Sequence, residues 1–221
     1  EVVRGLTNAT VQAVGQTVER EIAGMVTTLR VLSTSELLKN NQYAEFHSRA
    51  VTALAGSGAY LLALDKTYAQ LLNTRVPYGT PLGLTSDPMS AAQALQRNGA
   101  TVSGLFYGKT AERWVFNVLL PVPDDNTAVL LALTQNASNL AVALQSRQLP
   151  PGWHAALVDA ANVVIAATPD ARFDTGSVLP MRQNLDQAPE EWRREQFDGQ
   201  RVVTAEWRST LSGWRVIAWA S

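Results

Sequence analysis

No cysteine occurs among the 221 residues, which excludes disulfides, thiolate metal sites and a thiol nucleophile. Charge of either sign is nearly absent as an excess: 18 Lys and Arg against 19 Asp and Glu leave −1. That balance gives no basic footprint for nucleic acid or an anionic membrane surface. Histidine is scarce, with only His47 and His154, and neither has a partner at metal-ligand spacing, so no metal site is expected. No uninterrupted apolar run reaches the roughly 18 residues of a membrane-spanning helix. No GxSxG elbow is present. The acidic pairs Asp124-Asp125 and Glu190-Glu191 read as a turn and a helix start, so neither a catalytic residue nor a cofactor is expected. Gly104-Leu105-Phe106-Tyr107-Gly108-Lys109-Thr110 imitates a phosphate loop with three residues between its glycines, whereas the motif needs four and a helix after it. The pattern here runs from strand to strand, and nucleotide binding is excluded.

What is present is an internal echo. Leu61 to Thr74 (LLALDKTYAQLLNT) returns 94 positions later as Ala155 to Thr168 (AALVDAANVVIAAT), with Asp65 answering to Asp159 and Thr74 to Thr168. Each copy is an apolar run, an Asp with turn-prone residues, and a second apolar run, the pattern of a hairpin made twice. Two copies so far apart predict two tandem α+β domains rather than a solenoid. Ahead of them, Val11, Val14, Val18, Ile22, Met25, Leu29 and Leu32 are spaced by three and four residues, a heptad-like seam that predicts one helix through about Leu38. The seam admits two readings: packing against the following domains, or pairing with a second copy to form a homodimer and transmit a signal. A second helix is expected over Tyr43 to Leu54.

The first unit is expected to hold strands at Tyr60–Leu64, Gln70–Val76, Thr101–Tyr107, Arg113–Val122 and Ala128–Thr134, with a helix at Met89–Gln96. A helix at Ser138–Gln148, stopped by Pro150-Pro151, closes it. The second unit is expected to hold strands at Trp153–Val158, Asn162–Thr168, Gln200–Arg208 and Gly213–Trp219, and a helical piece at Pro189–Gln196. The boundaries are 1–55 for the helices, 56–149 for the first unit and 150–221 for the second. The chain begins inside a helical pattern and stops after the apolar run Trp214 to Ala220, as expected of a segment of a longer protein.

Polar and aromatic residues gather around the first sheet: Arg75, Tyr78, Tyr107, Lys109, Arg113 and Asn117. Alternation puts Arg113, Val115, Asn117 and Leu119 on one strand face and Trp114, Phe116, Val118 and Leu120 on the other. If the first face lines a cleft beneath the Pro77 to Pro88 loop, Arg113 and Asn117 hold a small anion or polar ligand there and the tyrosines close over it. Arg75, just before the extended Val76-Pro77 step, is aimed at the same cleft. The alternative is a solvated sheet face.

The long helix, the stretch Asn73-Thr74-Arg75-Val76-Pro77-Tyr78-Gly79-Thr80-Pro81-Leu82 and the repeat ending in Ser212-Gly213-Trp214-Arg215-Val216 together resemble the double Cache sensor domains. These are tandem PAS-like ectodomains of bacterial transmembrane receptors, and the likeness covers essentially the whole chain. It implies an α+β fold with two antiparallel sheets, a periplasmic location between two transmembrane helices, and a ligand in the membrane-distal first unit. The stretch looks most like ectodomains of sensor histidine kinases; related ones precede diguanylate cyclase or chemotaxis modules. The Tyr, Arg-x-Trp-Tyr and Asp pattern of the amino-acid-binding members is missing, since Trp114 follows Arg113 directly. The implied partner is a small polar molecule such as a carboxylate rather than an α-amino acid. A ligand-free dimerisation or partner-protein module is the alternative from another class.

Overall fold

Helix α1 spans Val2–Leu32 in this computed structural model, which describes residues 2–123, 126–180, 193–197 and 199–221. The seam residues Val11, Val14, Val18, Ile22, Met25 and Leu29 are buried within the single chain, and Leu32 is half-buried. Intramolecular packing therefore accounts for the seam, and those side chains are not available to a second copy. The helix ends at Leu32, short of the expected Leu38. Thr34 and Ser35 N–H tighten onto the carbonyls three residues back, Val31 and Leu32, while Ser33 Oγ donates to the Arg30 carbonyl at 2.8 Å and Thr34 Oγ1 to that of Val31 at 2.9 Å. A single further turn, α2 (Glu36–Lys39), precedes α3 (Tyr43–Leu54).

The contacts gather the chain into two units, one of Ile22–Asn136 and one of Glu1–Glu21 with Ala137–Ser221. The first carries strands β1 (Ala59–Leu64), β2 (Gln70–Asn73), β3 (Thr101–Val102), β4 (Phe106–Gly108), β5 (Arg113–Pro121) and β6 (Leu130–Asn136), and helix α4 (Pro88–Arg97). Their order is β2-β1-β6-β5-β3, with β4 also paired to β5, and every pairing is antiparallel. The expected strand Thr101–Tyr107 is thus two strands, and β2 stops at Asn73 where the chain turns. One face buries Leu61, Phe116, Val118, Leu131 and Leu133. On the other, Leu62, Leu64, Leu119, Leu130 and Ala132 pack against Ala91 and Ala94 of α4. From Val115 to Leu120 both faces of β5 are buried, whereas Arg113 and Trp114 at its start are exposed.

The other unit holds helix α5 (Ala137–Gln145) and strands β7 (His154–Val158), β8 (Val164–Ala167), β9 (Arg193–Phe197), β10 (Gln200–Arg208) and β11 (Arg215–Ala220) in the order β8-β7-β11-β10-β9. Residues 193–196 are strand rather than helix, because β9 pairs with β10 from Arg193↔Thr204 to Phe197↔Gln200. Residues 189–192, the Glu190-Glu191 pair and Asp124-Asp125 lie outside the described residues. Trp214 is fully buried, and Arg215 beside it is an interior cation, 3.3 Å from the buried Glu206 and donating to Asn162.

The echo is a structural repeat down to its irregularities. The β1/β2 and β7/β8 hairpins break register at the same place, between Ala63 and Leu64 and between Leu157 and Val158. In each, the Asp Oδ1 accepts backbone N–H bonds two and four residues on: Thr67 and Ala69 for Asp65, Ala161 and Val163 for Asp159. Tyr68 and Asn162, 94 apart, both have positive φ, 66° and 64°. Thr74 Oγ1 accepts from Leu61 N at 2.8 Å, and Thr168 Oγ1 from Ala155 N at 3.1 Å. Matching bridges, Ala69↔Leu84 and Val163↔Val178, extend the repeat beyond the hairpin. The turn's hydrogen bonds, that from the Thr67 side chain foremost, hold the Asp65 carboxyl below its ordinary pKa.

Two glycines of α1 separate packing from propensity. A Cβ on Gly15 would lie 2.0 Å from Trp207 Cδ2, inside the indole, whereas one on Gly24 meets nothing. Gly15→Ala should destabilise by about 1–3 kcal/mol through overpacking, and Gly24→Ala should stabilise by up to about 1 kcal/mol; urea unfolding of both variants checks the opposed signs. A depressed folded pKa contributes stability above the unfolded value and loses it as pH falls through the folded one. Wild type should therefore lose more stability than Asp65→Asn between about pH 5 and pH 3, measured by the same unfolding curves.

Candidate functional site

Strand alternation builds a polar patch at one end of the α4-covered face of the first sheet. Tyr60 pairs with Thr134, and Thr134 with Asn117, placing one residue from each of β1, β6 and β5 in a single row. Asn73 on β2 lies in the next row, opposite Leu62. Gln70, Asn73, Thr85, Ser86, Phe106, Lys109, Asn117 and Thr134 line a cleft there with about 30 Å³ of free space, enough for a water or two. The cover is the 77–87 segment, tied to the hairpin by Gln70 N to Gly83 O at 3.2 Å and Thr85 N to Tyr68 O at 2.8 Å. Lys109 N donates to Ser86 Oγ at 3.0 Å, joining that cover to the turn after β4.

At the sheet end of this patch Arg75 is half-buried. Its guanidinium carbon lies 4.1 Å from the centroid of the Tyr60 ring, and Nη2 donates to Asn136 Oδ1 at 2.7 Å. No carboxylate pairs with it among the described residues. Its pKa is pushed below the ordinary arginine value, first by burial, with Tyr60 opposing and the neighbouring Arg113 adding to the shift. The backbone around it is pinned on both sides by His47 of α3. That buried imidazole lies with Nε2 2.8 Å from the Val76 carbonyl and 3.3 Å from that of Asn73, so Nε2–H is the donor to both.

The six expected residues divide. Asn117 and the exposed Lys109 line the cleft, whereas Arg75 does not line it and lies against Tyr60 and Asn136. Arg113 is exposed with Nε spent on the Ala111 carbonyl at 3.1 Å, though close enough to affect Arg75. Tyr78 is exposed and packs on the His47 ring, 5.9 Å between centroids. Tyr107 is turned away: β4 pairs Phe106 with Val115 and Tyr107 with Trp114, so Phe106 faces the cleft while Tyr107 meets Trp114 edge-on at 5.6 Å on the opposite face. Tyr60, Gln70, Asn73, Thr134 and Asn136 were not expected. Alternation carried two residues past Thr134 would have brought Asn136 onto the Thr134 face.

The second unit repeats the scaffold without this patch. Tyr60 is answered by His154, Asn73 by Ala167 and Arg75 by Pro169; in the matching row, Thr134 and Asn117 are answered by Trp219 and Thr204. Trp219 packs there on Phe197 at 4.9 Å and on His154 at 5.9 Å. A cavity of about 510 Å³ beside them is lined by Asp170, Arg172, Phe173 and Gln200, and His154 Nδ1 lies 3.3 Å from Asp170 Oδ1. A further recess of about 240 Å³ in the first unit, between α3 and β1, is mainly apolar. Among the described residues no acidic, histidine or cysteine cluster could hold a metal, and no helix is long and apolar enough to cross a membrane.

No family model matches the sequence, and no curated protein matches it. Solved structures do. The extracellular domain of the histidine kinase candidate rpHK1S-Z16 aligns over 98% of this chain and 93% of its own, with TM-score 0.76 at 15% identity. The ligand-binding domain of the Pseudomonas fluorescens chemoreceptor CtaA, solved with L-isoleucine, aligns over 100% and 93%, with TM-score 0.71 at 12% identity. That of the Pseudomonas aeruginosa chemoreceptor PctC, solved with GABA, aligns over 99% of both chains, with TM-score 0.70 at 14% identity. Two antiparallel sheets built on one repeated hairpin and led by a long helix are thus the α+β fold of receptor ligand-binding domains, shared here across the whole chain.

Proposed function

We propose that residues 1–221 are the extracytoplasmic ligand-sensing part of a bacterial transmembrane receptor, a sensor histidine kinase, and that a small polar carboxylate binds in the cleft of the first unit. The observation that carries this reading is Arg75: a half-buried cation with no carboxylate partner among the described residues, at the head of a polar patch that the duplicated scaffold lacks. Leaving a guanidinium partly desolvated costs stability that a structural role would recover with an acid. A binding role leaves that acid to the ligand. The likeness to receptor domains solved with small ligands, and to one of a histidine kinase candidate, supports the same reading.

In this reading residues 56–149 are membrane-distal, 150–221 are membrane-proximal, and transmembrane helices flank the segment in the periplasm. Ligand binding then shifts a two-state equilibrium by about 1–3 kcal/mol of coupling. Helix α1 contributes residues to both units, so it is the element through which the shift is passed on. A homodimer through the N-terminal helix would have to use its exposed side chains, such as Leu6 and Val31, rather than the seam.

One observation favours a second reading. The cleft's 30 Å³ is too small for an amino-acid-sized molecule, as expected of a ligand-free dimerisation or partner-binding module. In the sensing reading the cover over the patch is closed and must open. Thermal melting in a library of small carboxylates, amino acids, amines and sugars decides between them. A bound ligand at about a hundredfold its Kd should raise Tm by about 5–10 °C, and Arg75→Ala should abolish the rise while leaving the unliganded Tm nearly unchanged. No rise anywhere in the library transfers the assignment to the interaction module. The coding sequence beyond residue 221 tests the kinase: a phosphoacceptor helix and an ATP-binding domain are expected, and a cyclase or chemotaxis module there overturns the kinase and leaves sensing intact.

A further inference from the structure

The second unit holds a space that the first does not. Its cover copies the 77–87 segment: Val164 N donates to Ser177 O and Leu179 N to Asn162 O, both at 2.8 Å, repeating the Gln70–Gly83 and Thr85–Tyr68 bonds 94 residues on. The free volume is not copied. About 510 Å³, lined by residues 170–173 and by side chains of β9, β10 and β11, stands against about 30 Å³ in the first unit. The larger value is that of a small-molecule site.

One wall of this cavity is aromatic. Phe173, where the first unit has Gly79, packs edge-on against Phe197 at 5.4 Å and Trp219 at 6.0 Å, and Phe197 meets Trp219 at 4.9 Å. Phe197 and Trp219 are buried, and Phe173 is half-buried. Core packing accounts for the two buried rings. It does not account for the open volume beside them, nor for Phe173 remaining partly uncovered there. Because the rings hold one another, they form a preset surface for a flat apolar body.

The rim is polar. Asp170 and Arg172 both line the cavity and are exposed, but they differ in what they meet. Asp170 Oδ1 has His154 Nδ1 at 3.3 Å. Arg172 has neither an ion pair nor a hydrogen bond among the described residues, so its guanidinium keeps its donors for an incoming acceptor. Its φ of 63° is one that glycine takes more easily, so the turn alone does not call for an arginine. A free arginine on an open surface would be ordinary; this one stands at a cavity floored by aromatic rings.

We infer that the second unit carries a binding site of its own for aromatic monocarboxylates, with the ring against Phe173, Phe197 and Trp219 and the carboxylate on Arg172. A short aliphatic acid leaves the aromatic wall bare, and an aromatic amine brings a like charge to the guanidinium. All the residues named belong to the second unit, so this occupant is independent of what the first cleft binds.

Isothermal titration at pH 7.5 tests this, run at two temperatures because apolar burial makes the binding heat temperature-dependent. The protein is residues 1–221 with a short Gly-Ser tail, so that no terminal carboxylate stands at Ser221 on the cavity wall. 3-Phenylpropionate should bind at least about tenfold tighter than propionate or 3-phenylpropylamine, and tighter than the non-planar 3-cyclohexylpropionate. Arg172→Glu, at an exposed position and with an unchanged melting temperature, should weaken 3-phenylpropionate at least about tenfold, and Arg75→Ala should leave it unchanged. Equal binding of propionate or the cyclohexyl acid overturns the aromatic requirement, and equal binding of the amine overturns the role of Arg172. Full affinity in Arg172→Glu, or loss in Arg75→Ala, moves the ligand out of this cavity. Heat from none of the four compounds at either temperature overturns the site and leaves sensing by the first unit to its own test.

Discussion

A guanidinium held over a tyrosine ring, with an amide and no acid beside it, is the constraint around which the first unit is arranged. Tyr60 and Asn136 each give Arg75 a partial compensation, a quadrupole and a neutral acceptor, and neither cancels its charge. The backbone is then committed to keeping the charge in place. His47 donates to the carbonyls on either side of it, and Asn73 accepts its own N–H. A cation merely tolerated at a sheet end would not need its main chain fixed from two elements. His47 thereby ties α3 to the backbone on both sides of Arg75.

The repeat shows which features are scaffold and which are site. Asp65 and Asp159, Thr74 and Thr168, and the positive-φ residues Tyr68 and Asn162 maintain one hairpin geometry twice, and they do so with unlike neighbours. Local side-chain to backbone bonds set that geometry, so it survives wide changes in the residues between. The polar row does not survive: where the first sheet has Asn117 and Thr134, the second has Thr204 and Trp219, and an indole occupies the interior. The second unit also spends its interior charge internally, Arg215 on Glu206 and Asn162, in a pair whose net contribution to stability is small but whose single members cannot be removed cheaply. Arg215 and Arg75 are thus contrasting uses of a buried cation, one neutralised by the fold and one left open.

Much of this was legible in the sequence because it is local. Asp-to-Thr spacing in the two hairpins, the α1 periodicity and the alternation along β5 are set by neighbours within a few residues, and they fixed the fold class and brought Arg75 and Asn117 forward. The failures share a cause. Tyr107 was expected in the cleft on the strength of its type, but side-chain direction in β4 depends on which residue of β5 it faces, a pairing no local pattern states. Asn136 and Gln70 were invisible because polar residues at strand ends look like loop residues until their partners are known. The seam was ambiguous for the same reason: a three-four spacing tells that a stripe is buried, not by what.

The small free volume of the cleft then follows from the same accounting as its chemistry. A cavity lined by polar side chains is costly to hold open without a ligand, because each unpaired group would need ordered water or an internal partner. Thr134, Asn73 and Arg75 take the internal acceptors, and the 77–87 segment closes against the hairpin through backbone bonds at Gly83 and Thr85. On the side of the β4 turn, Lys109 N donates to Ser86 Oγ. In the proposed sensing role this segment would need two arrangements close in free energy, with a ligand that has affinity for one of them.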